Sequence, residues 1–296
     1  MARFLHALRL VEMTTLSQKQ ITTFQDKILD WYAKNKRDLP WRRTRDPYAI
    51  LISEVMLQQT QVSRVIAKYE EWMRAFPTLQ TLAATSTRDV LLHWSGLGYN
   101  RRALYLKRLA EVVVKNNKGV FSQSEKELKK LPGIGQYTAR AILCFAFDKQ
   151  IAVVDTNVRK VILVHFKDVF AKYNKERDPS TARRFAQDDK LIQAIADLLL
   201  PQGGAYEWNQ ALMDYSSAML KKEKIALHQQ KPFKQSNRFY RGQIVKLLLK
   251  KNETLESLFQ LIENAGITKN AFVEILKAME KDALIVKKGG YYTIAQ

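Results

Sequence analysis

The sequence predicts an all-α protein with a small C-terminal module of mixed α and β structure. Three observations predict this class. Apolar residues recur at helical spacing along most of the chain. A turn that contains proline and glycine, at 131–135, joins two such segments, and residues from 239 onward show three helical segments followed by two strand patterns. With 296 residues, of which 46% are hydrophobic, the chain can bury a sizeable core.

Capping residues and apolar periodicity predict the helices of the first part of the chain. Ser17 is a candidate N-cap, Pro47 opens a strongly apolar segment, and Ser124 lies near the start of a further segment. Residues 167–188, which include Pro179, read as a charged, loop-rich connection. The predicted helices are 17–34, 48–57, 62–76, 79–84, 87–94, 101–116, 122–131, 136–147, one starting at 156, 190–200 and 207–221.

The C-terminal segments follow a winged-helix pattern. The predicted helices are 239–250, 255–265 and one that Thr268 caps and that ends at 281. Strands at 284–286 and 291–294 are joined by a Lys-Lys-Gly-Gly turn, which is typical of a β-hairpin. A positive wing tip would suit contact with a DNA backbone, although such modules also mediate protein contacts.

The charge balance favours an anionic partner. Lys and Arg number 49 against 29 Asp and Glu, a formal net charge of +20. This sign indicates nucleic acid or another anionic surface. Charge alone is non-specific, so a solvated basic surface without a specific partner is the alternative.

The cysteine content and the hydropathy of the chain limit the classes of protein to which it could belong. Cys144 is the single cysteine and lies in an apolar helical run, so the chain cannot form an internal disulfide or a cysteine-ligated cluster. No apolar run reaches the ~18 residues that span a membrane. Charged residues interrupt the N-terminal segment, which therefore lacks the core of a signal peptide. We expect a soluble cytoplasmic protein that associates with the nucleoid.

The turn at 131–135 is the first candidate site. Pro132, Gly133 and Gly135 lie between two helical segments, and glycine tolerates backbone angles that other residues avoid. The turn leads directly into a helix N-terminus, where free N–H groups and the helix dipole favour an anion. On a basic chain we expect that anion to be a nucleic-acid phosphate.

Two carboxylates are candidates for chemistry. Asp155 follows the apolar run 151–154 and precedes a helix, where an aspartate is also an ordinary N-cap, a role that Asn157 could share. Glu54 lies inside an apolar helix; burial would raise its pKa and make it a candidate proton donor. The alternative for Glu54 is a carboxylate at the rim that pairs with an arginine.

Two loops could contact bases. Residues 58–61 are uncharged and polar, so they could reach base edges or fill a gap in a duplex, or simply form a solvated helix end. Residues 95–102 contain two glycines, two large side chains and two arginines. An aromatic or apolar tip beside arginines suits insertion between bases, and ordinary loop packing is the alternative.

These motifs resemble those of the helix-hairpin-helix DNA glycosylases, and most closely the MutY-type adenine DNA glycosylases. The resemblance extends over about residues 17–220, and the block Glu-Val-Met-Leu-Gln-Gln-Thr-Gln-Val at 54–62 is the most specific to the adenine branch. The matching segments are 39–41, 53–62, 94–99, 131–135, 155–158 and 208–214.

The resemblance implies a domain organisation. An N-terminal extension would cover 1–16, and a two-lobed helix-hairpin-helix domain 17–220. A six-helix lobe of about 48–147 and a second lobe from 17–47 and 148–220 would form that domain. A basic linker at 221–237 would precede a winged-helix-like domain at 238–296.

The resemblance also implies roles for individual residues. Glu54 would donate a proton to the base, Asp155 would stabilise the sugar cation, Asn157 would orient Asp155, and Tyr137 would face the sugar. Gln59 and Tyr99 would enter the duplex. The full set of implied DNA contacts is Gln58, Gln59, Thr60, Leu97, Tyr99, Arg101, Gly133, Gly135, Gln136 and Thr138. A cation at the hairpin would be held by the backbone carbonyls of Lys129, Leu131 and Ile134.

Three departures from the family pattern affect these expectations. Relatives carry four cysteines after the segment that matches 213–220, whereas 221–224 here reads Lys-Lys-Glu-Lys and no cysteine follows. We therefore expect no iron–sulfur cluster and no required cofactor. A winged-helix-like segment stands where the family has a Nudix-like domain, and Thr156 replaces the usual glycine.

The resemblance implies a monofunctional glycosylase that flips out and removes adenine mispaired with 8-oxoguanine or guanine. Gln136 and Tyr137 carry no amine, so no lyase lysine is expected at this position. The first alternative is removal of thymine or uracil opposite guanine, which Tyr137 permits. The second is a DNA-binding protein without catalysis. In each case the expected partner is double-stranded DNA, with a mismatch or an oxidised guanine for the two enzymes, and the protein is expected to be monomeric.

Overall fold

A computed structural model describes residues 16–175, 189–223, 233 and 236–295, with the backbone alone for 173–175. Within these ranges helices dominate and every strand lies after residue 252, which confirms the predicted class. The predicted extension 1–16 and linker 221–237 lie largely outside the described residues. The α-helices are α1 Gln18–Asn35, α2 Pro47–Leu57, α3 Val62–Ala75, α4 Leu79–Ala84, α5 Thr87–Trp94, α6 Arg101–Asn117, α7 Glu125–Leu128, α8 Gln136–Phe145, α9 Thr156–His165, α10 Lys167–Lys175, α11 Asp189–Leu198, α12 Ala205–Met219, α13 Asn237–Leu248, α14 Leu255–Ile262 and α15 Lys269–Lys281.

The described residues form two compact units. The first unit falls within Met1–Arg45 and Gln136–Gln229, and the second within Asp46–Gly135 and Gln230–Gln296. Helix α8 therefore belongs to the first unit, whereas the sequence predicts a lobe that continues to 147. The C-terminal module belongs to the second unit. None of the helices in the described ranges is both long and apolar enough to cross a bilayer.

Helix α12 is the centre of the first unit. Its Trp208 is fully buried, and the helix packs against α1 and α9. The ring of Phe24 on α1 meets Trp208 edge-on, with 6.1 Å between ring centroids. Ser17 caps α1 as predicted: its side chain accepts a hydrogen bond from the Gln20 N–H, and the Gln20 side chain bonds back to the Ser17 N–H. Local capping and apolar burial thus agree on the placement of α1.

A buried carboxylate on α12 joins two distant segments of the first unit. Asp214 accepts hydrogen bonds from Arg42 Nη1 at 2.8 Å and Nη2 at 2.7 Å. It also accepts from the backbone N–H of Arg37 at 3.0 Å and from Arg37 Nε at 2.7 Å. Burial alone would raise the pKa of Asp214, but the hydrogen bonds from Arg42 and Arg37 outweigh burial and hold it below its usual value.

We expect Asp214→Asn to lower the free energy of unfolding by about 2 kcal/mol at pH 7, because the buried arginines lose their countercharge. Because the pKa of Asp214 is lower in the folded than in the unfolded state, its ionised form stabilises the fold fully above the unfolded pKa of about 3.9. This stabilisation is lost as the pH falls through the pKa of the folded protein. Urea unfolding should therefore show a smaller difference in the free energy of unfolding between wild type and Asp214→Asn near pH 3 than at pH 7. The control is Asp38→Asn, since Asp38 forms an exposed pair with Arg43. A constant difference at both pH values would contradict the prediction.

Aromatic packing fixes the helical part of the second unit. Trp72 is fully buried and meets Trp94 edge-on, with 5.5 Å between centroids. The Tyr48 hydroxyl donates to the carbonyl of Phe76 at 2.8 Å and accepts from Trp72 Nε1 at 3.2 Å. Helices α2 and α3 pack together, and α4 packs on α6. These bonds tie the start of α2 to the end of α3. Glu54 lies further along α2.

Two predicted segments are wrong. The helix predicted at 122–131 is reduced to α7, because the Ser124 side chain makes no capping bond and the chain tightens after Leu128. The N–H of Leu131 bonds the carbonyl of Leu128, three residues back, and this shorter spacing leads into the turn. The segment predicted as loop-rich from 167 contains α10, since Val169 and Phe170 are buried on one face. Residues 176–188, including Pro179, lie outside the described residues.

The C-terminal module forms the predicted hairpin. Strands β2 Ile285–Lys288 and β3 Tyr291–Ile294 pair antiparallel, with Lys288 opposite Tyr291. Gly289 and Gly290 have φ of 55° and 84°, the pair of positive angles that a two-residue type I′ turn requires. A short strand β1, Glu253–Thr254, adds to β3 and gives the order β1-β3-β2. Two residues are too few to show alternation, so the sequence pattern misses β1.

Candidate active site

Asp155 is the N-cap of α9, and its two carboxylate oxygens have different partners. One oxygen accepts the backbone N–H of Val158 at 2.7 Å, and the other accepts from Asn157 Nδ2 at 2.7 Å. Asn157 does not cap the helix itself but holds the second oxygen. The capping geometry considered from the sequence is therefore present, and the same contacts fix the orientation of the carboxylate.

The Asp155 carboxyl group is more basic than a solvated aspartate. Burial raises its pKa, while the hydrogen bonds from the Val158 N–H and from Asn157 act in the opposite direction without cancelling the shift. Both donors, and the N-terminal end of the α9 dipole, stabilise negative charge. Burial thus favours the neutral carboxylic acid at Asp155, while these fixed dipoles favour the carboxylate.

Asn209 positions the segment that leads to Asp155. It is buried, and its Oδ1 accepts the backbone N–H of Val153 at 2.8 Å. Its Nδ2 donates to the carbonyls of Ile151 at 3.0 Å and Ala205 at 2.7 Å. The extended run before Asp155 is thereby fastened to α12 in the same unit. The sequence marks Asn209 as part of a family motif but does not reveal this role.

Glu54 lies within the core of the second unit. Its exposure is 6%, and the residues on either side of it in α2, Ser53 and Val55, are buried as well. Glu54 is therefore buried, and its role as the proton donor remains a prediction. Glu54 belongs to the second unit, whereas Asp155 and Asn157 belong to the first, as does the half-buried Tyr137 on α8.

A single arginine joins the two predicted base-contacting loops, and the sequence analysis assigns it no role. Arg102 on α6 is buried, and its guanidinium donates to acceptors at the end of α2, in the turn that follows, and in the loop before α6. Burial lowers its pKa to about 10, so it stays charged at neutral pH. The acceptors are the carbonyls of Val55 at 2.7 Å, Met56 at 3.0 Å, Gln58 at 2.6 Å, Leu97 at 3.0 Å and Gly98 at 3.1 Å, and the hydroxyl of Thr60 at 3.2 Å.

The two residues expected to enter a duplex have strained backbones. Gln59 has φ of 56° and Tyr99 φ of 49°, the left-handed region that large side chains rarely adopt. Each such conformation costs about 1–3 kcal/mol and persists where the surroundings impose it. Here Arg102 holds the carbonyls beside both residues. Strain of this kind is often found at ligand sites, and the roles of Gln59 and Tyr99 remain predictions.

Two of the expected DNA contacts differ from their neighbours in burial. Leu97 is 4% exposed and Thr138 is 2% exposed, so neither side chain can touch a ligand in this conformation. The carbonyl of Leu97 accepts a hydrogen bond from Arg102 at 3.0 Å. The expected DNA contacts at Leu97 and Thr138 remain predictions, whereas the side chains of Gln59 and Arg101 are exposed.

The two glycines of the 131–135 turn have different structural roles. Gly133 has φ of +77°, and a Cβ there would lie 2.8 Å from Tyr105 Cβ, so the fold itself requires glycine. Gly135 has no left-handed angle, and a Cβ there would meet open space. A steric clash within the described structure therefore does not explain the glycine at 135.

We expect the two glycines to respond differently to alanine. Gly133→Ala should lower the free energy of unfolding by about 2 kcal/mol through backbone strain and the contact with Tyr105. Gly135→Ala should leave stability within about 0.5 kcal/mol yet weaken duplex binding about tenfold, because a methyl group would hold a phosphate away from the turn. Urea unfolding and fluorescence anisotropy with a labelled duplex measure both effects. Normal DNA affinity in Gly135→Ala would disprove the phosphate role.

The expected hairpin cation remains a prediction. The carbonyl of Leu131 accepts the N–H of Ile134 at 3.2 Å, and Lys129 precedes them at the end of α7. Among the described residues, no group of three or more His, Cys, Asp or Glu side chains could hold a metal ion. Cys144 is buried, burial raises its pKa to about 12, and Asn209 Nδ2 lies 3.4 Å from its Sγ. These contacts give Cys144 a structural role.

The family described as HhH-GPD superfamily base excision DNA repair protein matches residues 52–175. A solved thermostable thymine-DNA glycosylase is 31% identical, with a TM-score of 0.60, and the match covers 70% of this chain and 90% of that one. The chain therefore belongs to the HhH-GPD superfamily of helix-hairpin-helix DNA glycosylases.

Curated relatives refine the similarity within the superfamily. An adenine DNA glycosylase of Mycobacterium tuberculosis is 47% identical over 136 residues, which are 46% of this chain and 45% of the relative. The human adenine DNA glycosylase is 39% identical over 209 residues, 68% of this chain and 36% of the relative. The chain thus spans less than half the length of these two relatives.

Proposed function

We propose that this protein is a DNA glycosylase that removes adenine mispaired with 8-oxoguanine or guanine. The observation that carries the proposal is the half-buried Asp155 carboxylate at the start of α9, which Val158 and Asn157 orient. A fixed anion of this kind suits a reaction in which a sugar acquires positive charge. The choice of adenine rests on the names of the curated relatives and on the 54–62 block that the sequence shares with that branch.

The proposed chemistry uses two carboxyl groups with opposite requirements. Glu54 protonates the flipped adenine, for which N7 is the accessible acceptor, and the bond between C1′ and N9 breaks with its electron pair remaining on the base. The sugar develops oxocarbenium character, as in glycoside hydrolysis. Asp155 stabilises that cation in its ionised form. Water adds at C1′, and the proton it releases restores the resting state of the acid. At Asp155, the Val158 N–H and the Asn157 side chain are fixed donors that favour the ionised form.

Asp155→Asn separates the chemical role from the capping role. Asparagine caps a helix as well as aspartate, but its NH2 group cannot accept the hydrogen bond from Asn157, so the free energy of unfolding should fall by about 1 kcal/mol. Loss of the negative charge should slow base removal about 100-fold or more in single-turnover assays. Asp168→Asn, at the start of α10, is a control that removes the same charge elsewhere in the first unit. Equal rates for wild type and Asp155→Asn would restrict Asp155 to capping.

We further propose that the reaction leaves an intact abasic strand. A lyase needs an amine that attacks the sugar and forms a Schiff base. Tyr137 offers a phenol and Gln136 an amide, and neither forms an imine. Borohydride should therefore fail to trap wild-type protein on a substrate duplex, whereas Tyr137→Lys should introduce trapping. An adduct of the wild-type protein at a lysine near the reacting sugar would contradict this part of the proposal.

A panel of duplexes tests the proposed substrate. Single-turnover base release is measured on duplexes with A·8-oxoG, A·G, T·G and U·G pairs, with A·T as the undamaged control, and strands are analysed before and after alkali. We expect fastest release of adenine from the first two duplexes and breakage only after alkali. Glu54→Gln prepared in parallel reports contaminating glycosylases. Release from none of these duplexes would favour a DNA-binding protein without catalysis.

Thymine or uracil opposite guanine is the second candidate substrate. The similarity to a solved thymine-DNA glycosylase at 31% identity favours it, and Tyr137 is compatible with either substrate. Faster release from the T·G or U·G duplex than from A·8-oxoG would establish this candidate. The same panel therefore decides between the two substrates.

A further inference from the structure

The C-terminal module contacts the loop that carries Tyr99. In the second unit, the guanidinium of Arg238, at the start of α13, donates a hydrogen bond to the Tyr99 hydroxyl. The guanidinium carbon also lies 5.2 Å from the centroid of the Tyr99 ring, within cation–π range. We propose that Arg238 is a positioning residue for Tyr99, so that the module takes part in opening the duplex. This inference rests on the proposed function, in which Tyr99 enters the base stack.

The position of Arg238 is itself fixed at the start of its helix. The Ser236 side chain, two residues before Arg238, caps α13 by accepting a hydrogen bond from the backbone N–H of Phe239. The Arg238 guanidinium lies 5.9 Å from the ring of Phe233, and that ring packs edge-on against Phe239 with 5.7 Å between centroids. Arg238 therefore reaches Tyr99 from the capped first turn of α13.

Tyr99 receives a second cation from within its own loop region. The guanidinium of Arg102 lies 5.5 Å from the Tyr99 ring centroid while it bonds the carbonyls of Leu97 and Gly98. Arg102 thus fixes the strained backbone of the loop, and Arg238 fixes the hydroxyl end of the side chain. A phenol held at both ends loses little further conformational entropy when it enters a base stack, which favours insertion.

The module is fastened to α5 and α6 at points apart from Tyr99. Asp282, after α15, accepts a hydrogen bond from Arg241, and its carboxylate lies 3.5 Å from Arg101 Nε. The carbonyl of Asp282 accepts from Arg108 at 3.2 Å. Arg88 on α5 donates to the carbonyls at the end of α13, those of Leu248 and Leu249. With both α13 and α15 held, a change at Arg238 alters Tyr99 without detaching the module.

Four variants test the coupling. Arg238→Ala removes the donor and the cation, Arg238→Lys keeps the charge, and Tyr99→Phe removes the acceptor. Lys246→Ala, on the exposed side of the same helix, is the charge-matched control. Single-turnover base release is measured on the preferred duplex of the panel, together with the fluorescence of 2-aminopurine placed beside the mismatch in a Glu54→Gln background. The aminopurine reports unstacking independently of bond cleavage.

We expect Arg238→Ala to slow base release and unstacking about tenfold, Lys246→Ala to change them less than twofold, and Arg238→Lys to recover most of the loss. The double variant Tyr99→Phe/Arg238→Ala should be no slower than the slower single variant, because both substitutions remove the same hydrogen bond between Arg238 and the Tyr99 hydroxyl. Multiplicative effects in the double variant, or an Arg238→Ala rate within twofold of wild type, would overturn the proposal.

Hydrogen exchange of the free protein distinguishes this proposal from the proposed function. If Arg238 positions Tyr99, amides of the 95–100 segment should exchange at least threefold faster in Arg238→Ala and unchanged in Lys246→Ala. A wild-type protein that releases no base would contradict the proposed function, yet faster exchange would still support the positioning role. Unchanged exchange in Arg238→Ala would overturn it whatever the enzyme's substrate.

Discussion

Glu54→Gln should reduce the single-turnover rate of base removal about 1,000-fold, within the range of about 10² to 10⁴ for loss of a general acid. Glutamine occupies the same volume and can hydrogen-bond, but it cannot supply the proton that makes adenine a neutral leaving group. Because Glu54 is 6% exposed, the neutral amide should also be tolerated in the fold. Binding to the mismatched duplex should stay within about threefold, since no phosphate contact is lost.

The matched control for this variant is Glu70→Gln. Glu70 lies on the exposed side of α3 in the same unit, so its substitution makes the same chemical change without touching a buried site. Thermal unfolding of both variants checks that the fold is intact, and anisotropy measures duplex affinity. A Glu54→Gln enzyme that removes base at a rate near wild type would refute the assignment of the acid.

Arg102→Met should lower the free energy of unfolding by about 3 kcal/mol, because several buried carbonyls lose a charged donor at once. Methionine fills much of the space of the arginine stem but donates no hydrogen bond. The turn after α2 and the loop before α6 would lose their common anchor, which should also release the strained backbones of Gln59 and Tyr99. We therefore expect the base-removal rate to fall together with stability. Urea unfolding at pH 7 gives the energy, and the single-turnover assay gives the rate.

Arg108→Met is the matched control for Arg102→Met. Arg108 lies on the same helix and donates one hydrogen bond, to the carbonyl of Asp282, so its loss should cost about 1 kcal/mol. Arg102→Lys extends the test, since a single ammonium group cannot reach acceptors in both loops and should recover little of the loss. Arg102→Met with stability within 1 kcal/mol of wild type would show that water replaces the guanidinium.

The sequence by itself determined the features that depend on neighbours a few residues apart. Ser17 as the cap of α1, Asp155 as the cap of α9 and the Gly289–Gly290 turn follow from hydrogen bonds and backbone angles that involve at most four consecutive residues. Apolar periodicity likewise predicted most helices, because burial of one face recurs every turn. The same local logic failed at α7, where Ser124 makes no capping bond and the chain tightens after Leu128, and at α10, whose charged composition concealed a buried face.

Only the tertiary structure decided how these pieces are held together. Arg102 meets carbonyls more than forty residues away, Asn209 fastens the segment before Asp155, Asp214 gathers Arg37 and Arg42, and Arg238 reaches Tyr99 across more than a hundred residues. In the sequence, these polar residues fit the ordinary alternation of apolar and polar positions. The pattern therefore does not distinguish them from polar residues exposed to solvent. Their partners are mainly backbone groups or charges that come near only after the apolar faces pack, so the pairing is fixed by the three-dimensional arrangement and not by local spacing.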